Sequence, residues 1–190
     1  MEILLNNLTV NDTELQYLLH SNAKSITLKG QCYFNRNRGA ILIKIGSNPT
    51  MLIFSEARVK FTSNYIGRRF EGLSSVLVAD GSSIIFNTSH VVFENNYGQN
   101  CGGIAATNRA KISFSNSIVD FIGNRGEHGG AMSFCSMSVL SLRGRKSDNL
   151  TITFSKNKAS TEAEQYLWMI TAMYMLTSYK NQLLTFVQVA

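Results

Sequence analysis

Residues that usually carry out acid–base chemistry are sparse in this chain. Its 190 residues include 12 Asp and Glu and only 3 His, against 18 Lys and Arg, so the net charge is +6. Glu127-His128 beside Gly129 is the one acid–histidine pair next to a glycine turn. A catalytic base there would need a partner nucleophile, and none is evident nearby. A solvated turn is the favoured interpretation of this pair.

Cysteines and histidines do not form a metal-binding pattern. Cys32, Cys101 and Cys135 are an odd number with no Cys-x-x-Cys spacing, which excludes a disulfide scaffold and a zinc site. His20 and His90 stand isolated in the sequence. A disulfide between Cys101 and Cys135 is an alternative, but free thiols are favoured. We therefore predict no metal and no cofactor.

Two basic segments, Arg68-Arg69 and Arg143-Gly144-Arg145-Lys146, are candidates for contact with acidic glycans or lipid headgroups. No aromatic residues interleave them, so nucleic acid is not an expected partner. The favoured interpretation is that they are charged loops that keep the protein soluble.

Compartment signals are few. Four sites match the N-glycosylation pattern, which is compatible with secretion in a eukaryote: Asn7, Asn11, Asn87 and Asn149. No run reaches 18 apolar residues, so we predict no transmembrane segment. The start of the chain has Glu2 where a signal peptide needs a basic segment, and no signal peptide is visible.

An internal repeat is the main signal in the sequence. The pattern Phe-x-x-Asn occurs five times, with steps of 27, 32, 28 and 33 residues. An apolar residue or cysteine lies two positions before each phenylalanine, which is the alternation of a strand with one buried face. The pairs are Phe34/Asn37, Phe61/Asn64, Phe93/Asn96, Phe121/Asn124 and Phe154/Asn157.

Two further signals divide each repeat into three short strands separated by turns. Phe54, Phe86 and Phe114 each precede the next repeated phenylalanine by seven residues. Glycine-rich segments follow three of the asparagines: Gly39-Ala40-Ile41, Gly102-Gly103-Ile104-Ala105 and Gly129-Gly130-Ala131-Met132.

A unit of three short strands cannot bury its own apolar face, so we expect the units to stack. Equivalent strands would pair in parallel about 4.8 Å apart. The phenylalanines would then form an internal stack, and the asparagine amides a ladder that bonds coil to coil. This predicts an all-β, right-handed parallel β-helix of the pectin-lyase-like type with about five coils.

The repeats extend over residues 26–159, and the flanking segments differ from them. Residues 1–25 are either a degenerate coil or an N-terminal cap that ends in a helical turn at Leu15–Leu19. Thr161–Glu164 resembles a capping box, so 160–190 is predicted to be a helical tail that covers the end of the solenoid. A frame-shifted continuation of a longer β-helix is the alternative, since shifted codons over Glu162–Ile170 permit Gly-Gly-Ala-Ile.

The Phe-x-x-Asn repeats with their Gly-Gly-Ala-Ile-like segments resemble the repeats of the chlamydial polymorphic outer membrane proteins. The resemblance covers Ile26 to about Asn157. It implies a surface-exposed β-helix that is used in adhesion.

Catalysis is not expected on such a β-helix. Aligned on the repeat, no two acids share a column in adjacent coils, and Lys60 and Asp120 share a column two coils apart. Polysaccharide-cleaving β-helix enzymes need clustered carboxylates.

We therefore predict a non-catalytic β-helix segment of a longer cell-surface or extracellular protein, a scaffold or adhesin with protein or glycan ligands. One alternative is a carbohydrate-binding or degenerate polysaccharide-lyase-like β-helix. It would need an aromatic or carboxylate strip on one outer face, which the alignment does not show. The other is a truncated product without independent function.

Overall fold

The computed structural model describes residues 2–21, 23–45, 50–67, 75–143 and 150–160, and every regular element within them is a β-strand. The strands are β1 Glu2–Asn6, β2 Thr9–Asn11, β3 Glu14–Ser21, β4 Ser25–Asn35, β5 Arg38–Ile45, β6 Met51–Thr62, β7 Tyr65–Ile66, β8 Leu77–Asp80, β9 Ser83–Asn87, β10 His90–Glu94, β11 Tyr97–Gly98, β12 Ile104–Thr107, β13 Lys111–Ser115, β14 Ile118–Ile122, β15 Arg125–Gly126, β16 Met132–Phe134, β17 Val139–Arg143, β18 Thr151–Ser155 and β19 Lys158–Ala159.

All strand pairs are parallel, and each strand pairs with its equivalent one turn away. On one face, the register runs through four successive turns, from Ser25 to Met51, Ser83, Lys111 and Val139. The described part of the chain is thus an all-β parallel β-solenoid of about four turns, with further strands at either end. This is slightly fewer than the five coils expected, because the final strands β18 and β19 do not complete a turn.

Three faces make up each turn. The first face holds β1, the first halves of β4 and β6, and β9, β13 and β17; the second holds β2, the second halves of β4 and β6, and β10, β14 and β18. The third face holds the strands of the other sheet, from β3 and β5 to β16 and β19. The chain therefore passes through all three faces before it meets its own backbone again.

Corners between the second and third faces lie one residue before each ladder position, and this residue has a positive φ. The φ values at Arg36, Ser63, Asn95 and Lys156 lie between 53° and 55°, and Gly123 is at 64°. Side chains there point away from the turn, so polar residues and one glycine fill the column.

The core consists of side-chain columns that run along the solenoid axis. Ring centroids are 4.8, 5.0, 4.8 and 5.2 Å apart along the predicted column Phe34–Phe61–Phe93–Phe121–Phe154. In the second column Phe54, Phe86 and Phe114 stack at 4.7 Å, with Leu28 and Leu142 at its two ends. These spacings match the distance between parallel strands, so each turn adds one ring to each aromatic column that it enters.

Residues before Ser25 form three strands that pair with the strands that follow them. Strands β1 and β2 pair with β4, and Val10 lies in register with Phe34. The predicted helical turn at Leu15–Leu19 is wrong, because these residues belong to β3, which pairs with β5. Pairing with the next turn provides backbone hydrogen bonds along the segment, which outweighs its local apolar spacing.

The glycine-rich segments do not share one position in the turn. Gly39 pairs with Ile66, whereas Gly129 bridges to Cys101 in later turns. Gly103 marks a real close approach, since an added Cβ would overlap the carbonyl oxygen of Ala131.

The predicted tail helix, with its frame-shift alternative, lies in 161–190, outside the described residues. Within the described residues, no helix has the length and apolar character needed to cross a membrane.

Candidate binding surface

The five repeated asparagines bond from turn to turn. The Nδ2 group of Asn37 donates to Oδ1 of Asn64 at 3.0 Å, and Asn64 to Asn96 at 2.9 Å. Asn96 donates to Asn124 at 3.0 Å, and Asn124 to Asn157 at 2.9 Å. Each amide therefore faces inward as part of a continuous ladder.

Backbone groups complete the ladder. Besides its bond to Asn124, the Nδ2 of Asn96 donates to the carbonyl oxygen of Phe61 at 3.0 Å. The backbone N–H of Asn96 donates to Oδ1 of Asn124 at 3.1 Å. Asn37, Asn64, Asn96 and Asn124 are buried. The column has a structural role, because its polar atoms are engaged inside the protein.

Thr13 continues the ladder by one turn, which the repeat search missed. Its backbone N–H and its hydroxyl both donate to Oδ1 of Asn37, at 3.1 and 2.8 Å. The signal was present as Val10-Asn11-Asp12-Thr13, in which valine replaces phenylalanine and threonine replaces asparagine.

The residue that follows each ladder asparagine faces outward on the third face. These residues lie in register from one turn to the next and form what we call the tyrosine–arginine strip: Arg38, Tyr65, Tyr97, Arg125 and Lys158. Tyr97 is partly buried, and the other four are exposed. The strip runs straight along the axis with one side chain per turn.

Tyr65 and Tyr97 stack on each other within the strip. Their ring centroids are 4.8 Å apart and their planes differ by 13°. Tyr65 is 53% exposed. Its ring lies over Gly67, where an added Cβ would come within 2.9 Å of the Tyr65 Cε1 atom. The ring faces therefore point along the axis, and the strip presents ring edges and phenol hydroxyls to solvent.

Cations flank the tyrosines. Within the described residues, no carboxylate forms an ion pair with Arg125 or Lys158. At the other end of the strip, Glu14 lies in register with Arg38. The described strip is thus most positive at Arg125 and Lys158.

The adjoining corner carries a separate ion pair. Arg36 donates from Nε and Nη2 to the two carboxylate oxygens of Asp12, both at 2.8 Å. These hydrogen bonds, aided by the charge of Arg36, lower the pKa of Asp12 despite some desolvation. Both groups are exposed, so the pair chiefly orients the two side chains.

Charges on the second face are paired across turns. Lys60 contacts Glu94 at 2.7 Å, and the Nε2 of His90 lies 3.2 Å from Oδ2 of Asp120. The prediction that His90 is isolated is wrong, because the register brings the two strands side by side. Lys60 and Asp120 lie two turns apart with Val92 between them, as predicted.

The three thiols are free. Cys32 and Cys101 are buried and Cys135 is exposed, so the structure contains no Cys101–Cys135 disulfide. Burial raises the pKa of the Cys101 thiol to about 12, against weaker opposing hydrogen bonds. This thiol is therefore neutral and a poor nucleophile at physiological pH.

Other candidate residues are dispersed. Among the described residues, no group of three His, Cys, Asp or Glu is placed to hold a metal ion. Glu127 and His128 lie next to the Gly129 turn and are partly buried. The candidate glycosylation residues Asn7, Asn11 and Asn87 are exposed. Asn149 lies outside the described residues, as do Arg68-Arg69 and 144–146 of the second basic segment.

Comparison of the chain with family models, with curated proteins and with solved structures finds no match. The candidate binding surface is therefore inferred from the structure alone. The sequence search overlooked the tyrosine–arginine strip because its members differ in type. The signal was nevertheless simple: the residue after each repeated asparagine occupies the same column.

Proposed function

We propose that this chain is a non-catalytic β-helix of a cell-surface or extracellular protein, where it acts as a scaffold or adhesin. The supporting observation is the contrast between a closed interior and a regular outer strip. The asparagine ladder pairs the polar groups inside each turn, and the aromatic columns fill its core. The side chains on the outside are therefore not needed for packing and can bind a ligand. Such a surface on a rigid support loses little conformational entropy when it binds.

Two further elements belong to the same proposal. We infer that the solenoid is right-handed, as the general rule for parallel crossover connections favours. We also infer that it is of the pectin-lyase-like type. The Phe-x-x-Asn repeats, which resemble those of the chlamydial polymorphic outer membrane proteins, support a surface location and a role in adhesion.

Absence of catalysis is inferred from how the described acids are placed. Glu94 and Asp120 lie beside Lys60 and His90, so that these two carboxylates are paired with basic groups. A glycosidase needs two carboxyl groups that act on the bond it cleaves, whereas these two carboxyl groups are held by neighbouring basic side chains.

A binding panel tests the proposal. The full chain is applied to immobilised glycans and extracellular matrix proteins, with heat-unfolded chain as the control. We expect saturable binding to at least one member that is lost on unfolding, and no new reducing ends in any glycan. Release of reducing ends would refute the non-catalytic role, and the absence of saturable binding to every member would refute the scaffold role.

A further inference from the structure

We propose that the tyrosine–arginine strip binds a sulfated polysaccharide that lies along the solenoid axis. The inference rests on the proposed function and names the ligand class of its outer surface. The strip is linear and presents one side chain per turn, with 4.8 Å between the centroids of Tyr65 and Tyr97. Successive rings of an extended sugar chain advance by a comparable length, so one chain meets successive turns.

Charge favours a sulfate at one end of the strip. Arg125 and Lys158 lie in register in adjacent turns, and both are exposed. Neither has an ion-pair partner among the described residues. A tetrahedral sulfate offers three terminal oxygens, so it can accept hydrogen bonds from both side chains at once. A planar carboxylate has two oxygens, and its best geometric match is a single guanidinium fork.

The tyrosines suit sugar hydroxyls better than nucleic-acid bases. Because the Tyr65 and Tyr97 rings stack on each other at 4.8 Å, no base can insert between them. A single-stranded nucleic acid would need an open ring face for stacking. The outward phenol hydroxyls can donate to and accept from sugar hydroxyls and sulfate oxygens. The two tyrosines are therefore placed to bind hydroxyl and sulfate groups of the sugars next to those that meet Arg125 and Lys158.

Support for the strip comes from the ladder directly beneath it. The first four ladder asparagines each bond through their backbone N–H and their side chain to the next turn, as Asn64 does with Asn96 at 3.0 and 2.9 Å. The backbone N–H of Tyr97 donates to the carbonyl oxygen of Asn64 at 2.9 Å. The spacing of the strip is thus fixed before a ligand arrives, which favours a regular polymer.

Heparin is the probe, and the full chain is titrated with it at two salt concentrations. We expect saturable binding that weakens as salt rises, because ions screen the contacts at Arg125 and Lys158. Reversing one charge there, in Arg125→Glu, should weaken binding by about tenfold or more. The matched control is Arg58→Glu, the same change at an exposed arginine on the second face. It should change the affinity by less than about twofold.

A second pair of variants tests the tyrosines. Tyr65→Phe keeps the ring and removes the hydroxyl, and we expect binding to weaken by about threefold. The control Tyr33→Phe removes the hydroxyl of an exposed tyrosine on the second face. All four variants should keep the melting temperature of the parent chain within about 3 °C, which separates binding from folding.

Outcomes of the titration separate this inference from the function on which it rests. Equal weakening by Arg125→Glu and Arg58→Glu would mean that net charge alone attracts heparin, and the strip would be refuted. Tighter binding of single-stranded RNA or of a polyuronate than of heparin would refute the ligand class. If heparin does not bind while another panel member does, this inference fails and the scaffold role stands.

Discussion

The asparagine ladder and the tyrosine–arginine strip consist of consecutive residues, yet they differ in almost every physical respect. Asn96 is buried and makes bonds to the turns on both sides. Tyr97 is partly exposed and touches one stacked neighbour, Tyr65. One column repeats a single residue type because buried polar atoms require exact partners. The other column varies in type because many side chains are equally stable at a solvent-exposed position. Its residues can therefore be determined by a ligand.

Truncation of a core ring should have the largest effect. Phe93 is buried between Phe61 and Phe121, so Phe93→Ala should lower the free energy of unfolding by about 3–5 kcal/mol. Phe154→Ala is the control, because the Phe154 ring stacks on Phe121 in the same column but is only partly buried. Denaturant unfolding measures both. Equal losses would show that the end of the column is packed as tightly as its middle.

Removal of one ladder amide should cost less. Asn96→Ala or Asn124→Ala leaves buried partners unpaired, which should lower the free energy of unfolding by about 1–3 kcal/mol. Thermal melting gives the loss. An unchanged melt in both variants would contradict the inward orientation of the ladder.

Alkaline pH should destabilise the fold through Cys101. Its pKa is raised to about 12 in the folded protein, above the value near 9 of a free thiol. The neutral thiol makes its full contribution to the free energy of unfolding below pH 9, and this contribution is lost as the pH rises toward 12. Between these limits the loss is about 1.4 kcal/mol per pH unit.

Comparison with Cys101→Ala isolates this term from the titration of lysine and tyrosine. The difference in stability between parent and variant should change between pH 8 and pH 10. A constant difference would show that the thiol reaches water.

Truncation on the outer strip should have the smallest effect on stability. Tyr97→Ala removes one stacked, partly exposed ring, so the free energy of unfolding should fall by only about 0.5–1 kcal/mol. A loss as large as that of Asn96→Ala would erase the contrast between the two columns. Unfolding of both variants under the same conditions makes the comparison.

The interior could be predicted from the sequence because it repeats. Phe54, Phe86 and Phe114 occur at one offset from the next phenylalanine, and they do stack. The outer strip could not be recognised by similarity, since Arg38, Tyr65 and Lys158 share a position but differ in residue type. Pairs such as His90 and Asp120 depend on the register between two turns, which a search for local motifs does not test.

Errors in the sequence-based prediction also have physical causes. Leu15–Leu19 has helical spacing, but pairing of β3 with β5 provides more backbone bonds than one isolated helical turn.

The ladder also determines how the rod responds to force. Its side-chain bonds join residues 27, 32, 28 and 33 positions apart, and they run from turn to turn. Tension along the axis therefore loads the turns in series, and they can open one at a time. A turn occupies about 4.8 Å of the rod. Its roughly 30 residues span on the order of 100 Å when extended. Each turn that opens would lengthen that stretch of the molecule about twentyfold. The ladder bonds therefore control how far the rod extends under load.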